Sequence, residues 1–247
     1  MSIIQAILVG LVYYCGSSFW LNGYLTITRP FVAATLVGVI MGDPTKGAII
    51  GANIQMIYMG WMSVGGSQPT DACLAGTLAT AFAIGSGLDT NVALAMAAPL
   101  GLIGSIVWIG RNTMNVFVLH LADKIAAKGK WKQLTIVNTF VPQIILLCIT
   151  FVPVSLAAYF GVSAVSGIIN YISDNVLGIL SNIGGVLPAV GIALNMKVIM
   201  KKSLVPYFFF GFFLSAYFNL SLVGIAAVFI GVAALYMFNQ EANREGI

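Results

Sequence analysis

Long apolar runs, interrupted only by short clusters of charge, constrain this chain more than any other feature of its sequence. Hydrophobic residues make up 60% of its 247 residues, and charged residues only 7%. A soluble domain carries about 25% charged residues, so this chain lacks the polar surface that water requires. Intrinsic disorder is excluded as well, because it combines low hydrophobicity with high charge. We therefore predict an all-α, polytopic membrane bundle, since helices satisfy their own backbone hydrogen bonds in lipid.

The lengths of the apolar runs predict six to eight membrane spans, because one crossing needs about 20 residues. Residues 133–173 carry no charge and are predicted to form one long or bent span. Residues 204–239 are too long for one straight helix and would form a tilted span or a broken pair. The other runs are 2–21, 74–84, 92–109 and 176–196. We treat residues 1–240 as one integral-membrane domain and 241–247 as a short polar tail.

The net charge of +4 is assigned to cytoplasmic loops. Seven of the eleven basic residues fall in two groups, Lys124, Lys128, Lys130 and Lys132 in the first and Lys197, Lys201 and Lys202 in the second. Cytoplasmic loops of membrane proteins are enriched in Lys and Arg, so the loop at about 121–133 is predicted to be cytoplasmic. Neither group forms a continuous basic face with interleaved aromatic residues, and we expect no nucleic-acid partner.

The segment from about residue 31 to residue 85 departs from the pattern of uninterrupted apolar helices. At residues 41–47 a turn has helix-start chemistry, because Asp43 can cap a helix and Pro44 suits its first position. A polar, helix-breaking stretch follows at residues 65–71. Non-helical backbone inside a membrane is tolerated where protein buries it or where it lines a wet cavity. Transporters bind polar cargo at such breaks, so we predict a substrate site on broken or re-entrant helices.

The Gly-Gly-x-x-Pro arrangement of residues 65–69 occurs again at residues 184–188. Two broken helices in corresponding halves of a chain would fit an internal structural repeat. Because the match covers five positions of residues that are common in membrane helices, a chance likeness is the alternative.

Seven side chains of the broken segment are candidates for binding a neutral polar cargo such as a sugar. They are amides, hydroxyls and a carboxylate, which can hydrogen-bond sugar hydroxyls, and one indole, which can pack on a sugar ring: Asn53, Gln55, Trp61, Ser67, Gln68, Thr70 and Asp71. Gly65 and Gly66 would let the backbone approach the cargo. Polar groups at this density are costly in a membrane unless they are used. The alternative is that the amides satisfy freed backbone groups or bridge helices, and that Trp61 is an interfacial anchor.

The sequence carries no motif of an enzyme that acts alone. It has one histidine, His120, at the end of an apolar run, and no phosphate-binding loop of the Gly-x-x-x-x-Gly-Lys-Ser/Thr type. Cys15, Cys73 and Cys148 lie far apart in apolar runs, without the spacing of metal ligands. We expect no catalytic residue, metal or cofactor in this chain, and we expect the energy for transport to come from elsewhere.

Several short segments resemble, in order and spacing, the enzyme IIC component of the mannose/fructose/sorbose class of sugar phosphotransferase systems. In the first third of the chain they are residues 28–31, 35–38, 41–43, 47–51 and 55–62, followed by Pro69 and Asp71. The likeness extends, more diffusely, over residues 119–124 and 206–212. It covers nearly the whole chain, and the first third carries most of its specificity.

The resemblance implies a multi-pass subunit of the bacterial inner membrane that pairs with a second membrane subunit, IID. It implies soluble partners, IIA and IIB, whose phosphohistidines pass a phosphoryl group from phosphoenolpyruvate to an incoming hexose or amino sugar. It also implies assembly as a trimer of IIC–IID heterodimers. Asp71 matches the acidic position of the family, whereas members of the mannose type carry Glu where this chain has Gln55. Mannose, an amino sugar, an N-acetylhexosamine and a ketose are therefore all admissible cargoes.

Two other functions stay open from the sequence. In the first, the chain is a structural subunit whose residues 53–71 dock a partner, and the sugar site lies in that partner. In the second, the chain is an independent transporter driven by Na⁺ or H⁺, for which Asp71 and Asp43 are the carboxylates that could titrate.

Overall fold

Helices make up the regular structure of the computed structural model, which describes residues 1–21, 26–59, 70–169 and 174–245. They are α1 (Ile3–Ser17), α2 (Pro30–Met41), α3 (Pro44–Ile57), α4 (Ala72–Gly85), α5 (Thr90–Ala126), α6 (Trp131–Ile169), α7 (Asp174–Ile199), a 3₁₀ turn (Lys202–Leu204), α8 (Val205–Phe218) and α9 (Leu222–Glu245). No strand occurs among the described residues, and the all-α prediction is confirmed. The chain forms two compact units, Met1–Asn195 and Met196–Ile247.

Among the described helices, α5 and α6 are long and apolar enough to cross a membrane by themselves. They contain 37 and 39 residues, well above the roughly 20 that one crossing needs. Helix α6 agrees with the single long span predicted for residues 133–173. Helix α5 continues to Ala126, although the sequence predicted its apolar span to end at Ile109. The total of six to eight spans stays a prediction.

Helices α2 and α3 form the first part of the broken segment. They contain 12 and 14 residues, which correspond to about 18 and 21 Å of helix, less than the hydrocarbon core of about 30 Å. The turn between them follows the predicted chemistry, since the Lys46 backbone N–H donates to Asp43 Oδ1 at 2.9 Å and Pro44 opens α3. Gly42 ends α2 with φ of 90°. Short helices at this position confirm the prediction of broken or re-entrant helices.

Helix α4 lies at the centre of the first unit. Eleven of its 14 residues are buried, and it packs against α1, α2, α3, α5 and α6. One face of α4 joins a cluster with Tyr13 and Val37, and the other joins a cluster with Ile54 and Leu94. Because α4 is enclosed on all sides, the residue that begins it, Asp71, is fixed inside the bundle.

The second copy of the Gly-Gly-x-x-Pro pattern lies in α7 and does not support an internal repeat of broken helices. Residues 184–188 lie inside this continuous helix, with Pro188 in its interior, so they do not break it. A Cβ atom on Gly184 would overlap the Asn91 carbonyl of α5, and one on Gly191 would overlap the Met56 carbonyl of α3. The glycines therefore bring α7 close to its neighbours instead of interrupting it. The first copy of the pattern, residues 65–69, lies outside the described residues.

The second unit contains a helix pair, which agrees with the broken-pair alternative for residues 204–239. Helix α8 ends at Phe218, and Asn219 follows it in the left-handed conformation with φ of 51° and ψ of 29°. Helix α9 begins at Leu222. Residues with a Cβ atom rarely adopt this conformation, and Asn is one of the few that tolerate it. The turn between the two helices therefore depends on Asn219.

Replacing Asn219 by alanine is expected to destabilise the protein more than replacing it by glycine. The left-handed conformation costs about 1–2 kcal/mol for an ordinary residue, whereas glycine adopts it freely. At about 2–4 °C per kcal/mol for a chain of this size, Asn219→Ala should unfold several degrees below Asn219→Gly. Thermal unfolding of the purified protein in detergent, followed by tryptophan fluorescence, measures the difference. Equal midpoints would contradict the assignment of the turn.

Candidate functional site

Asp71 joins three helices through its backbone and its carboxylate. It caps α4, since the Leu74 backbone N–H donates to Asp71 Oδ1 at 3.0 Å. The Tyr13 hydroxyl of α1 donates to Asp71 Oδ2 at 2.7 Å. The Asp71 backbone N–H donates to the Gly101 carbonyl of α5 at 2.8 Å. With only 9% of its surface exposed, Asp71 is a buried and hydrogen-bonded acidic residue within the bundle.

The backbone of α5 approaches residues 70 and 71 unusually closely, because two glycines face them. A Cβ atom on Gly101 would overlap the Tyr58 hydroxyl, and one on Gly104 would overlap Asp71 Cβ and lie 3.1 Å from Leu74 Cδ2. This close approach allows the Asp71 N–H to reach the α5 carbonyl. Gly101 and Gly104 therefore contribute to the site because the absence of a Cβ atom lets the α5 backbone lie close to residues 70 and 71.

A cavity of about 160 Å³ lies beside Asp71, between α1, α5, α6 and the start of α4. We call it the polar cavity. Its wall includes a carboxylate, a guanidinium, two hydroxyls and three aromatic rings, from Asp71, Arg111, Tyr13, Ser17, Phe19 and Trp108. Its volume is well above the roughly 15 Å³ that one water molecule needs. The arrangement offers hydrogen-bond donors, hydrogen-bond acceptors and flat apolar surfaces around one cavity.

Arg111 is held on the wall of the polar cavity by three contacts. Its Nη1 donates to the carbonyl of Ser17, the last residue of α1, at 3.0 Å. Its guanidinium carbon lies 4.3 Å from the ring centroid of Trp108 and 5.0 Å from that of Phe19, distances at which a cation is attracted to an aromatic face. Arg111 is 9% exposed. It therefore satisfies a carbonyl at the end of α1, which the helix leaves without a partner.

Thr70 faces away from the polar cavity. Its hydroxyl donates to the Tyr58 hydroxyl at 3.4 Å, and Tyr58 donates to the Ala97 carbonyl at 3.0 Å. Tyr58 and Thr70 border a second cavity of about 170 Å³, whose wall is otherwise mainly aliphatic, with Ile57, Leu102, Leu187, Val190 and Leu194. We call it the apolar cavity. Two consecutive residues, 70 and 71, thus line two different cavities.

The two amides of α3 occupy different positions from Asp71. Asn53 Nδ2 donates to the Ile49 carbonyl of its own helix at 2.8 Å, as in the alternative in which the amides satisfy backbone groups. Gln55 Oε1 is buried and has no hydrogen-bond partner among the described residues. Neither amide belongs to the described part of the polar cavity's wall. The remaining sequence candidates lie outside the described residues: Trp61, Gly65, Gly66, Ser67 and Gln68.

Sequence reasoning missed Arg111, Tyr13 and Trp108. For Arg111 a signal exists, because an ionisable residue inside an apolar span indicates a functional site. The predicted span ended at Ile109, which placed Arg111 at the membrane surface, but α5 continues for 15 residues beyond Arg111. Tyr13 carries no such signal, since it is one aromatic residue within an apolar run. Its role becomes visible only when α1 and α4 are packed together.

Metal ligands are not grouped in the described part of the chain. No three His, Cys, Asp or Glu side chains among these residues lie close enough to hold a metal ion. Cys15, Cys73 and Cys148 are free thiols. His120 is exposed on α5, on a helix surface and outside the described wall of the polar cavity.

Comparison with known sequences identifies the type of protein that this chain is similar to. The model of the sorbose-specific IIC component of the phosphotransferase system matches residues 3–236. The mannose-specific EIIC component of Escherichia coli (strain K12) is 31% identical over 209 residues, which are 85% of this chain and 79% of that protein. The N-acetylgalactosamine permease IIC component 1 of the same organism is 28% identical over 247 residues, 96% of this chain and 89% of that protein.

Two solved structures of membrane proteins have a fold similar to that of this chain. A structure of a membrane protein superposes with a TM-score of 0.81 at 30% identity, covering 96% of each chain. A chain in the cryo-EM structure of the mannose transporter ManYZ with microcin E492 superposes with a TM-score of 0.60, also at 30% identity and 96% coverage of each chain. Both neighbours are membrane proteins, and the likeness to each extends over almost the whole chain.

Proposed function

The chain belongs to the family of sorbose-type IIC components of sugar phosphotransferase systems, and we propose that it binds a hexose or amino sugar in the polar cavity beside Asp71. As a member of this family it is an integral-membrane translocation subunit. The observation that carries the assignment of the site is the polar cavity itself, whose wall combines a carboxylate, hydroxyls and aromatic rings. A neutral sugar presents hydroxyls to such polar groups and an apolar ring face to the aromatic rings.

Asp71 keeps acceptor capacity for the sugar. A carboxylate has about four lone-pair positions, and the bonds from Leu74 and Tyr13 use two of them. Sugar hydroxyls would donate to the rest. Because both existing bonds hold the carboxylate in place, it needs no rearrangement to accept them. Gln68 and Ser67 stay proposed contacts, since they precede Asp71 in the chain, and Gly65 and Gly66 would let the backbone approach the cargo. Thr70 stays in the proposed set as a contact on the side of the apolar cavity, which it lines.

Gln55 is proposed as a contact for a different reason. Its side-chain oxygen is buried without a partner among the described residues, and a buried acceptor without a partner costs free energy. A cargo hydroxyl or a group from outside the described residues would satisfy it. Asn53 and Trp61 complete the proposed set from the same broken segment.

The phosphorylation step is proposed to take place on partner subunits. This chain has one histidine, and it is exposed on α5, so soluble IIA and IIB components are expected to carry the phosphoryl group from phosphoenolpyruvate. In the proposed assembly the chain pairs with a IID subunit in a trimer of heterodimers in the bacterial inner membrane. The likeness to a chain of the mannose transporter ManYZ supports the pairing. A sugar phosphate is charged, so it would not re-enter a site built for a neutral sugar, and uptake becomes one-way.

Vesicles that contain this chain together with IID, IIA, IIB and a soluble bacterial extract, which supplies the carriers between phosphoenolpyruvate and IIA, are expected to convert external sugar into internal sugar phosphate when phosphoenolpyruvate is supplied inside them. The probes are radiolabelled D-mannose, D-fructose, L-sorbose and N-acetyl-D-galactosamine, and at least one should be phosphorylated. Vesicles without this chain give the background. Uptake by the chain alone in liposomes, driven by a Na⁺ or H⁺ gradient and independent of phosphoenolpyruvate, would replace the proposal with the ion-coupled alternative.

A second measurement separates the sugar site from a docking surface. In a Cys148→Ser background, which removes the exposed thiol, the variant Gln68→Cys is treated with a thiol reagent. The transported sugar should slow the labelling of residue 68. Labelling that is the same with and without sugar would favour the alternative in which residues 53–71 dock a partner subunit.

A further inference from the structure

Arg111 presents a buried charge with unused hydrogen-bond donors to the polar cavity. A guanidinium carries five N–H donors, and the described hydrogen bond from Arg111 Nη1 to the Ser17 carbonyl uses one of them. The aromatic rings of Phe19 and Trp108 attract its charge but accept none of the remaining N–H groups as a lone pair would. Arg111 is 9% exposed and lines the cavity. A ligand in the cavity can therefore accept hydrogen bonds from these N–H groups.

The charges around the cavity determine which ligand fits. Asp71 and Arg111 both lie on its wall, one supplying acceptors and the other supplying donors. An anion would meet the Asp71 carboxylate, and a cation would meet the Arg111 guanidinium. A neutral polyhydroxyl compound suits both, because each hydroxyl group donates one hydrogen bond and accepts others. The pair therefore favours an uncharged sugar.

Arg111 is also fixed before the ligand arrives. The Ser17 carbonyl accepts a hydrogen bond from the guanidinium, and two aromatic rings pack beside it. A planar guanidinium that is already ordered loses little conformational entropy when it forms further bonds. A lysine at this position would place one point charge on a flexible stem and would not reproduce the fork of donors.

We infer that Arg111 is a specificity-determining residue of the sugar site, which donates hydrogen bonds to hydroxyl oxygens of the sugar while Asp71 accepts from others. The inference rests on the proposed function. It goes further because it assigns to α5 a role in distinguishing one hydroxyl pattern from another. A purely structural Arg111, which only ties the end of α1 to α5, would affect all sugars equally.

The test compares how strongly a transported sugar and its monodeoxy analogues inhibit uptake, in the complete system with IID, IIA and IIB. In the wild type, at least one analogue should inhibit about 10- to 100-fold more weakly than the parent sugar, the range for a hydrogen bond to a charged group. In Arg111→Gln the parent sugar should inhibit more weakly than in the wild type by a similar factor. The ratio of the inhibition constants of that analogue and the parent sugar should then fall towards one. Asn112→Ala, an exposed neighbour on α5, is the control and should keep the wild-type ratio.

The outcomes distinguish a failure of this inference from a failure of the proposed function. If the wild type transports a sugar and Arg111→Gln keeps every wild-type ratio, the inference is wrong and Arg111 is structural. If Arg111→Gln does not assemble with IID on size exclusion, Arg111→Lys decides in the same way, because it keeps the charge and loses the fork. If the wild type transports none of the four sugars, the proposed function is overturned, and the inference is overturned with it.

Discussion

Replacing Asp71 by alanine is expected to reduce phosphoenolpyruvate-dependent sugar uptake by about 100-fold or more, while the complex with IID still assembles. A hydrogen bond to a charged group contributes about 1.5–3 kcal/mol, and each 1.36 kcal/mol corresponds to a factor of ten. Two bonds from sugar hydroxyls to the Asp71 carboxylate therefore account for the loss. The initial rate of uptake into vesicles measures it, and size exclusion in detergent checks assembly.

A control is needed because Asp71 also stabilises the fold. Removing it takes away the cap of α4, worth about 1 kcal/mol, and leaves the buried Tyr13 hydroxyl without its acceptor. Asp43→Ala is the matched control, since Asp43 caps α3 in the same way but lies outside the described wall of the polar cavity. It should lose stability and keep uptake. Unchanged uptake in an assembled Asp71→Ala complex would remove Asp71 from the site, and loss of uptake in Asp43→Ala would favour a role of both carboxylates in ion coupling.

Features set by neighbouring residues could be predicted from the sequence. The start of α3 at Asp43 and Pro44 follows from capping chemistry and from the fixed φ of proline, which act within one helical turn. The break between α8 and α9 was one of two alternatives for a run that was too long for one helix. The membrane class follows from composition alone. These predictions depend on the chemistry of neighbouring residues, on the length of an apolar run or on the overall composition. None of them requires knowledge of which helices pack together.

The rest of the site depends on contacts between distant segments. Tyr13 and Asp71 are 58 positions apart, and Arg111 and Ser17 are 94 apart. Helices that are apolar on all sides give little periodic signal for the face that packs inward, so the sequence did not show these partners. Of the two interpretations of the Gly-Gly-x-x-Pro pattern, the structure favours the chance likeness, because residues 184–188 do not break a helix. Glycine and proline are tolerated inside membrane helices because neighbouring helices and polar side chains satisfy the freed backbone groups, and residues 184–188 lie within α7.

The glycines of α5 are as important to the site as its polar side chains. Gly101 and Gly104 let the helix backbone lie against residues 70 and 71, so that the Asp71 N–H reaches the Gly101 carbonyl at 2.8 Å. This contact positions the carboxylate at the wall of the polar cavity. A side chain as small as a methyl group at Gly104 would occupy the space of Asp71 Cβ.

Replacing Gly104 by alanine is therefore expected to lower both stability and sugar uptake. Overpacking a core costs about 1–3 kcal/mol, and each kcal/mol lowers the unfolding midpoint of a chain of this size by about 2–4 °C. Uptake should fall because the displaced Asp71 would no longer face the cavity. Gly110→Ala on the same helix is the matched control, because nothing lies within 4 Å of its Cβ position. It should be neutral or stabilising, since alanine favours a helix over glycine by about 0.5–1 kcal/mol. If Gly104→Ala transports sugar as well as Gly110→Ala does, the close approach of α5 is not what places Asp71 at the cavity.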